Sequence, residues 1–275
     1  MGKHSEENPK VKTKSKVLKI FLRVLLVILI IIVILAGIAA GLVADKLGKI
    51  NVEEIDKTAI GISEETKEEL SGYRNIALFG VDSRADDYGV GNRSDCIMIA
   101  SMNQKTNDIK IISVYRDTYM QVEEKGKDKL DKVTHAYAYG GAQGALKALN
   151  TNLDLNISEY VTANFDAVIA AVDAVGGVTI DVDSSEVKYI NKYINDLIED
   201  THGREGTAAD AITKPGKQTL TGAQALAYSR IRYTEGGDYK RTERMRTVIE
   251  AMLSKVKTLN VGQLNKFVYL LIYFT

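Results

Sequence analysis

One short stretch, residues 227–246 (AYSRIRYTEGGDYKRTERMR), contains five of the chain's eleven arginines. Elsewhere the basic residues are mostly lysines, so this stretch selects the guanidinium group and not merely positive charge. A guanidinium presents a planar fork of N–H donors that matches the oxygens of a phosphate or carboxylate two at a time. The stretch is therefore a candidate binding site for a multiply charged anion.

The spacing of these arginines predicts shared faces. Arg230 and Arg232 are two residues apart in the β-like run YSRIRY, so they would point to one face of a strand. Arg241 and Arg244 are three apart in a helical segment that follows two glycines, so they would share a helix face. A strand, a turn and a helix could then form an anion pocket. The competing interpretation is that these arginines lie in solvent and pair with the acidic residues of the same stretch.

Two aspartates lie where predicted strands border a common loop. The apolar run 75–82 (NIALFGVD) ends in Asp82, and Asp95 directly precedes the next apolar run. In open α/β sheets, ligands collect at the carboxyl ends of strands, where Arg93 and Arg116 are also expected. Because Mg²⁺ binds through one or two carboxylates together with substrate phosphates, Asp82 and Asp95 are candidate metal ligands. Neighbouring arginines would stabilise charge on the phosphate oxygens during transfer.

The elements that position these residues alternate between strands and helices. Strands are predicted at 75–82, 96–103, 109–120, 158–163, 178–183 and along the arginine run that follows residue 227. Helices are predicted at 134–149, 165–175, 188–200, 220–230 and 242–259. The order predicts an α/β fold, a three-layer domain with a central mixed β-sheet flanked by helices.

The N-terminal segment predicts a membrane anchor. Residues 1–23 are polar and basic, and the 21 residues of 24–44 carry no charge. At about 1.5 Å per residue such a helix spans the roughly 30 Å hydrocarbon core of a bilayer. A cleaved signal peptide is the alternative, but its apolar region is usually about 7–15 residues long. We therefore predict one transmembrane helix at 24–44, a cytoplasmic tail at 1–23, an extracytoplasmic spacer at 45–72 and a folded domain at 73–275.

Overall composition excludes several classes of function. The formal net charge is zero and the pI is about 6.9, so no global charge favours nucleic acid. Three histidines, widely spaced, are too few for a histidine metal centre. The single cysteine, Cys96, lies in an apolar run and is predicted to be a buried small hydrophobe.

Seven ordered blocks resemble the LytR–CpsA–Psr family of cell-wall enzymes. The blocks are GVDSR (80–84), NRSD (92–95), YRDTY (115–119), HAYAYGG (135–141), NFDAVIAAVDAVGGVTIDV (164–182), LTGAQALAYSRIRY (220–233) and GDYKRTER (237–244). The resemblance covers about residues 73–257 and the N-terminal anchor. It implies a phosphotransferase on the outer face of a Gram-positive cell membrane. Such enzymes move wall teichoic acid or capsular polysaccharide from a polyprenyl-pyrophosphate carrier to peptidoglycan, with Mg²⁺ as the metal.

The resemblance also implies roles for individual residues. Asp82 and Asp95 match the family's metal-associated carboxylates, and these two with Arg93 and Arg116 form the expected catalytic set. The implied pyrophosphate-binding residues are Arg93, Arg116, Arg230, Arg232, Asp238, Arg241 and Arg244. The predicted helices at 134–149 and 165–175, with the sheet between them, are expected to form an apolar groove for the polyprenyl chain.

Two departures from the family pattern and two alternative functions remain. Met245 stands where the family usually has glutamine, so one polar contact to the pyrophosphate is expected to be lost. The family domain normally continues further, so we expect the domain at 73–275 to be shortened at its C-terminus.

Hydrolysis of polyprenyl pyrophosphate, or non-catalytic lipid binding in envelope regulation, would use the same pocket. DNA binding is not expected, because the domain is predicted to lie outside the cell and has no groove-reading helix.

Overall fold

The structure is a computed structural model that describes residues 54–81, 88–200, 206–260 and 262–264. The chain divides into two units, 1–50 and 51–275, and all described residues belong to the second. The predicted transmembrane helix at 24–44 lies outside the described residues, as does Asp82. Within the described ranges, no helix is both long enough and apolar enough to cross a membrane.

The described residues form eight strands and six α-helices. Five strands follow one another before the second helix, and strands and helices alternate from there to the fifth helix, so the predicted alternation holds for that part of the described chain. The strands are β1 (Tyr73–Val81), β2 (Ser94–Asn103), β3 (Ile109–Val114), β4 (Tyr119–Glu124), β5 (Lys127–Lys132), β6 (Glu159–Ala163), β7 (Val178–Val182) and β8 (Gly216–Leu220). The helices are α1 (Glu64–Glu69), α2 (Val133–Leu153), α3 (Phe165–Ala174), α4 (Ser184–Asp200), α5 (Gly222–Ser229) and α6 (Gly237–Val256), with a 3-10 turn at Ala208–Asp210.

The central sheet has the strand order β3-β2-β1-β6. Strand β2 runs antiparallel to β1 and β3, whereas β6 runs parallel to β1, so the predicted mixed sheet is confirmed. Along β1, Ala77, Phe79 and Val81 are buried and alternate with less buried residues, as a strand with one core face requires. Helix α2 packs on that face, where the Phe79 and Tyr137 rings meet edge to face with centroids 5.3 Å apart.

A second apolar cluster holds the C-terminal half of the domain. It joins the β7–β8 hairpin to α4, α5 and α6 through buried residues that include Ile180, Ile190, Ile194, Ile231 and Val248. Helix α6 contacts both β7 and β3, so it links this cluster to the central sheet. The first cluster thus supports Asp95 and Arg116, and the second supports the arginine-rich stretch.

The single strand predicted at 109–120 is wrong. Strand β3 ends at Val114, a turn follows, and β4 pairs with β5 in a hairpin that the sequence did not predict. The turn is held by the Thr118 N–H donating to the Tyr115 carbonyl at 2.9 Å and the Thr134 N–H donating to the Arg116 carbonyl at 3.1 Å. Strand β5 (KDKLDK) has one apolar residue, so hydrophobic periodicity carries no signal for it.

The strand predicted for YSRIRY is also wrong. A capping box at Thr221 and Gln224 begins α5, which runs directly into this segment. Arg230 is the C-cap of α5, with φ −89° and ψ −9°, and its N–H bonds back to the last helical turn. Arg230 and Arg232 still flank a fully buried Ile231, so both guanidiniums are directed away from the same core.

A buried ion pair fixes the loop that follows α5. Arg244 Nε donates to Glu186 Oε1 at 2.7 Å, and these two residues are 6% and 8% exposed. The same guanidinium donates to the Ile231 carbonyl at 3.1 Å and to Thr234 Oγ1 at 2.7 Å. Glu186 Oε2 accepts from the Asp183 N–H at 2.9 Å. Arg244 therefore joins α6, the 231–234 loop and the start of α4.

We expect Gly222→Ala to destabilise the second cluster. A Cβ at residue 222 would clash with the Ile169 carbonyl oxygen, so α3 and α5 would have to separate. Overpacking of this kind costs about 1–3 kcal/mol and should lower the midpoint of thermal unfolding. Gly72→Ala is the matched control, because a Cβ at residue 72 meets no atom within 4 Å and should leave the midpoint unchanged.

We expect Glu186→Ala to lower the free energy of unfolding by about 3–5 kcal/mol, because it leaves the Arg244 guanidinium buried without its carboxylate. Denaturant titration measures this loss. Glu250→Ala serves as the control, since Glu250 is 58% exposed and lies 3.8 Å from Arg246 Nε. That substitution should cost less than about 1 kcal/mol. Equal losses in the two variants would contradict a special contribution from the buried pair.

Candidate functional site

A cavity of about 240 Å³ brings together residues from β2, α3, α4, the loop after α5 and α6. Its walls are formed by Asp95, Phe165, Tyr193, Arg230, Arg232, Tyr233 and Arg241. Three guanidiniums and two phenol groups face one concave space, which is the composition expected of a site for an oxyanion.

Asp95 is placed by an irregularity in the sheet. Gly80 pairs with Cys96 and Val81 pairs with Ser94, so Asp95 is the extra residue of a β-bulge between β1 and β2. A bulge turns one side chain out of the regular alternation, and bulges occur often beside active sites. Thr134 supports this end of β2, because its hydroxyl donates to the Ser94 carbonyl at 3.0 Å. The backbone geometry of the bulge therefore sets the direction of the Asp95 side chain.

Three guanidiniums surround the Asp95 carboxylate. Arg116 donates to Oδ1 through Nη1, and Arg232 Nη2 lies 3.6 Å from Oδ2. Arg241 Nη1 lies 3.8 Å from Oδ2, and Arg241 Nη2 donates to the Asp95 carbonyl oxygen at 3.3 Å. One carboxylate thus holds together three cations that would otherwise repel one another.

A second carboxylate, Asp238, lies in the first turn of α6, where the helix dipole favours negative charge. Its Oδ1 lies 3.5 Å from Arg232 Nε and 3.4 Å from Arg241 Nε. Asp95 and Asp238 are contacted by three guanidiniums, those of Arg116, Arg232 and Arg241. Arg230 lines the same cavity without contacting either carboxylate, so the four guanidiniums exceed the two carboxylates by two positive charges. That excess favours an anionic ligand.

Two guanidinium N–H groups at the site are unsatisfied. Arg116 Nε and Arg241 Nε are buried, and neither makes a hydrogen bond among the described residues. Each has a carboxylate nearby, with Asp117 Oδ1 3.9 Å from the first and Asp238 Oδ1 3.4 Å from the second, but neither oxygen is placed to accept. Arg241 is only 3% exposed, so water does not reach its guanidinium freely. A buried donor with no acceptor at all costs about 1–3 kcal/mol; the nearby carboxylates offset part of this cost, and a well-aligned ligand oxygen would recover the rest. These groups fit a phosphate ligand better than a purely structural ion-pair network.

Arg230 is held by two aromatic rings. Its guanidinium carbon lies 4.8 Å from the Phe165 ring centroid and 5.3 Å from the Tyr193 ring centroid. Cation–π contacts of this kind orient the planar group without consuming its N–H donors. Burial raises the pKa of Tyr193, and the neighbouring Tyr233 raises it further, so its hydroxyl remains a neutral donor near pH 7. Both side chains can therefore donate to an anion in the cavity.

The described residues fit a magnesium ion that takes its ligands from both the protein and a bound phosphate, and not an ion held by protein side chains alone. No group of three or more histidine, cysteine or carboxylate side chains that could hold a metal occurs in the described ranges. Asp95 is the one carboxylate among the seven cavity-lining residues, and Asp82 is not described. Because Mg²⁺ commonly takes one or two carboxylates plus substrate phosphate oxygens, this donor set fits an ion bound together with a phosphate ligand.

The structure brings most of the predicted site residues together. Arg230, Arg232, Arg241 and Asp95 line the cavity, and Arg116 and Asp238 contact its charged groups. Arg93 does not join them, since it is exposed in the loop before β2 and is not a wall residue. Arg244 does not line the cavity. It is buried behind the 231–234 loop, where it binds Glu186 and the Ile231 carbonyl and so positions the loop that carries Arg232.

The aromatic walls were not predicted. Phe165 follows the N-cap of α3, and Tyr193 lies on a helix predicted only as a surface excursion. The repeated KYINKYIN pattern puts two tyrosines four residues apart on one helix face and could have indicated an aromatic surface. Cys96, predicted to be buried, is half-buried. Burial raises the pKa of its thiol to about 12, with a further contribution from Asp95, so it is no nucleophile at neutral pH.

Comparison with known proteins identifies related chains. The sequence profile described as the LytR_cpsA_psr family matches residues 45–270. A polyisoprenyl-teichoic acid–peptidoglycan teichoic acid transferase TagU from Enterococcus faecalis is 35% identical over 187 residues, which are 68% of this chain and 54% of that protein. The TagU of Bacillus mycoides is 36% identical over 201 residues, 73% of this chain and 58% of that protein. The chain thus spans little more than half the length of these relatives.

Solved structures show the same fold. Protein gbs0355 from Streptococcus agalactiae has a TM-score of 0.57 and 27% identity, over 76% of this chain and 69% of that chain. TagT bound to LI-WTA has a TM-score of 0.53 and 26% identity, over 82% and 79% of the two chains. The YwtF (TagT) structure with bound octaprenyl pyrophosphate lipid has a TM-score of 0.51 and 26% identity, over 82% and 78%. With its mixed α/β sheet, its arginine-lined cavity and a profile match over most of its length, the chain belongs to the LytR_cpsA_psr family.

Proposed function

We propose that this protein is a phosphotransferase that moves a teichoic-acid-type glycopolymer from a polyprenyl-pyrophosphate carrier to peptidoglycan. The observation that carries the proposal is the cavity itself: three guanidiniums contact two carboxylates, a fourth guanidinium lines the wall, and two buried N–H groups make no hydrogen bond. The relatives named as teichoic acid transferases and the lipid-bound neighbour support the choice of substrate.

The charge of the cavity suits a pyrophosphate esterified at both ends. Such a group carries one ionised oxygen on each phosphorus, which matches the excess of four guanidiniums over two carboxylates. Arg232 and Arg241 are held in place by Asp95 and Asp238 before any substrate binds. Donors oriented in advance stabilise developing charge without reorganisation, which is the usual origin of large rate effects.

The proposed reaction forms one P–O bond and breaks another. A sugar hydroxyl oxygen of peptidoglycan attacks the phosphorus that bears the glycopolymer. The bond from that phosphorus to the bridging oxygen breaks, polyprenyl phosphate leaves with the bonding electrons, and the hydroxyl proton passes to solvent or to a basic oxygen. Arg116, Arg232 and Arg241 would stabilise the negative charge that moves onto the phosphate oxygens.

The proposal includes a magnesium ion and a membrane location. Asp95, together with Asp82, would hold Mg²⁺, which when bound would neutralise further charge on the two phosphates. The uncharged residues 24–44 would anchor the chain, with the folded domain on the outer face of a Gram-positive cell membrane.

An apolar face of the sheet supports a site for the polyprenyl chain. Leu78 pairs with Val161 of β6 and Met98 of β2, on the face opposite the one that α2 covers. Met98 is fully buried, whereas Val161 is 43% exposed and Leu78 is half-buried, so accessible apolar surface lies toward the β6 side of this face. We propose that the lipid binds along this face. The groove walls predicted at helices 134–149 and 165–175 stay predictions.

We expect Arg232→Ala and Arg116→Ala to lower turnover of a polyprenyl-pyrophosphate-linked sugar about 10²–10³-fold, because each removes a donor directed at the transferring phosphate. The measurement is release of polyprenyl phosphate by the full chain in detergent, with peptidoglycan fragments as acceptor. Arg74→Ala is the control, since Arg74 pairs with Glu159 at the opposite end of β1 and should keep full activity. Undiminished turnover in folded Arg116 and Arg232 variants would refute the proposal, and release that needs no acceptor would identify a hydrolase.

We expect Asp95→Asn to separate anion binding from metal binding. Asparagine keeps the size of the side chain and one oxygen that can accept from Arg116, and a bound pyrophosphate replaces the lost negative charge among Arg116, Arg232 and Arg241, so metal-free affinity for inorganic pyrophosphate should not fall. Any increase in affinity on adding Mg²⁺ should disappear. Calorimetric titrations with and without Mg²⁺ measure both effects, and Asp181→Asn, exposed on β7, is the control. A variant that keeps the full effect of Mg²⁺ would show that Asp95 is not a ligand.

A further inference from the structure

Helix α4 presents lysines and tyrosines at the edge of the cavity. Lys188 and Lys192 are four residues apart on one exposed face of the helix, and Tyr189 and Tyr193 are four apart on the adjoining, half-buried face. Tyr193 is itself a cavity wall, as is Tyr233 of the facing loop. We call these five residues the α4 strip.

The contacts within the α4 strip are continuous from the cavity outward. The Tyr189 and Tyr233 rings lie 6.1 Å apart between centroids, at an interplanar angle of 32°. Lys192 Nζ lies 5.2 Å from the Tyr233 ring centroid, and Lys188 Nζ lies 4.7 Å from the Tyr189 ring centroid. Because Tyr233 directly follows Arg232 and is 63% exposed, the strip joins the charged cavity to open surface.

Both lysines remain available to an anion. Lys188 and Lys192 are exposed, and neither forms an ion pair with a carboxylate in the described part of the chain. Their contacts with tyrosine faces orient the ammonium groups while leaving N–H donors directed to solvent. The surface therefore alternates between an aromatic ring and a positive charge along one direction.

We propose that the α4 strip binds the repeat units of an anionic, phosphodiester-linked glycopolymer as the polymer leaves the cavity. This inference rests on the proposed function, because the polymer is attached to the pyrophosphate that the cavity would hold. Tyrosine combines an apolar ring face with a polar hydroxyl, which suits sugar or polyol units, and the lysine ammonium suits the phosphates between them. Since the strip begins at the cavity wall, its occupant is the polymer joined to the bound headgroup. The protein should then prefer phosphodiester polymers to neutral polysaccharides.

The test is a binding titration of the full chain in detergent micelles with a soluble glycerol-phosphate oligomer. The Lys188→Gln/Lys192→Gln variant should raise the Kd for the oligomer about three- to tenfold at low salt, and the difference should shrink near 1 M salt. The Kd for inorganic pyrophosphate should not change. The matched control is Lys105→Gln/Lys110→Gln, at the opposite end of β2 and β3, which should bind the oligomer like the unchanged protein.

Three results would overturn the inference. The first is that the double variant binds the oligomer as tightly as the unchanged protein does. The second is that the unchanged protein binds an uncharged oligosaccharide of the same length equally well. The third is that the double variant loses only binding to anionic lipid vesicles. The last would identify the α4 strip as a membrane contact. The outcome is independent of the turnover assay, because the oligomer contains no pyrophosphate. Undiminished turnover in Arg232→Ala would refute the phosphotransferase while the titration still decides what the strip binds.

Discussion

The site depends on one carboxylate, that of Asp95, which holds Arg116, Arg232 and Arg241 around it. Guanidiniums brought this close repel one another strongly in a partly buried setting, where the effective dielectric is well below that of water. The bulge between β1 and β2 sets the position of the carboxylate, and the turn after β3 delivers Arg116 to it. The other two arginines come from elements far away in the chain, so the whole C-terminal half must pack correctly for the cluster to form.

The arginines of this domain fall into two kinds that sequence alone does not separate. Arg244 is fully engaged by Glu186, the Ile231 carbonyl and Thr234, so it has a structural role. Arg241, one helical turn earlier on α6, is just as buried but keeps an N–H that makes no hydrogen bond, although Asp238 Oδ1 lies 3.4 Å away. Buried polar groups are nearly always satisfied in folded proteins, so an exception in a cavity indicates a place reserved for a ligand. The contrast between neighbouring turns of one helix thus separates the residue that supports the site from the one that would contact the anion.

Hydrophobic periodicity predicted the strands and helices that have one buried and one exposed face. Strands β1, β2, β6 and β7 and helix α3 lie close to their predicted positions, because each buries an apolar face against a neighbouring layer. The β4–β5 hairpin was missed because its second strand is almost wholly polar and depends on pairing with β4. The arginine run was read as a strand because Ile231 alternates with two arginines, a pattern that a helix end followed by a loop produces equally well when the middle residue is buried.

Residue types and their order by themselves predicted an α/β fold and a guanidinium-rich site for an anion, and they showed which family the chain resembles. Guanidinium clustering and the ordered blocks are properties of local sequence, so they can be read without coordinates. Tertiary structure alone decided that Asp95 stands among the arginines, that Arg244 turns to Glu186 and away from the cavity, and that Phe165 and Tyr193 enclose Arg230. These pairings join residues separated by tens of positions or more along the chain, and they follow from how the two apolar clusters pack, which no local pattern records.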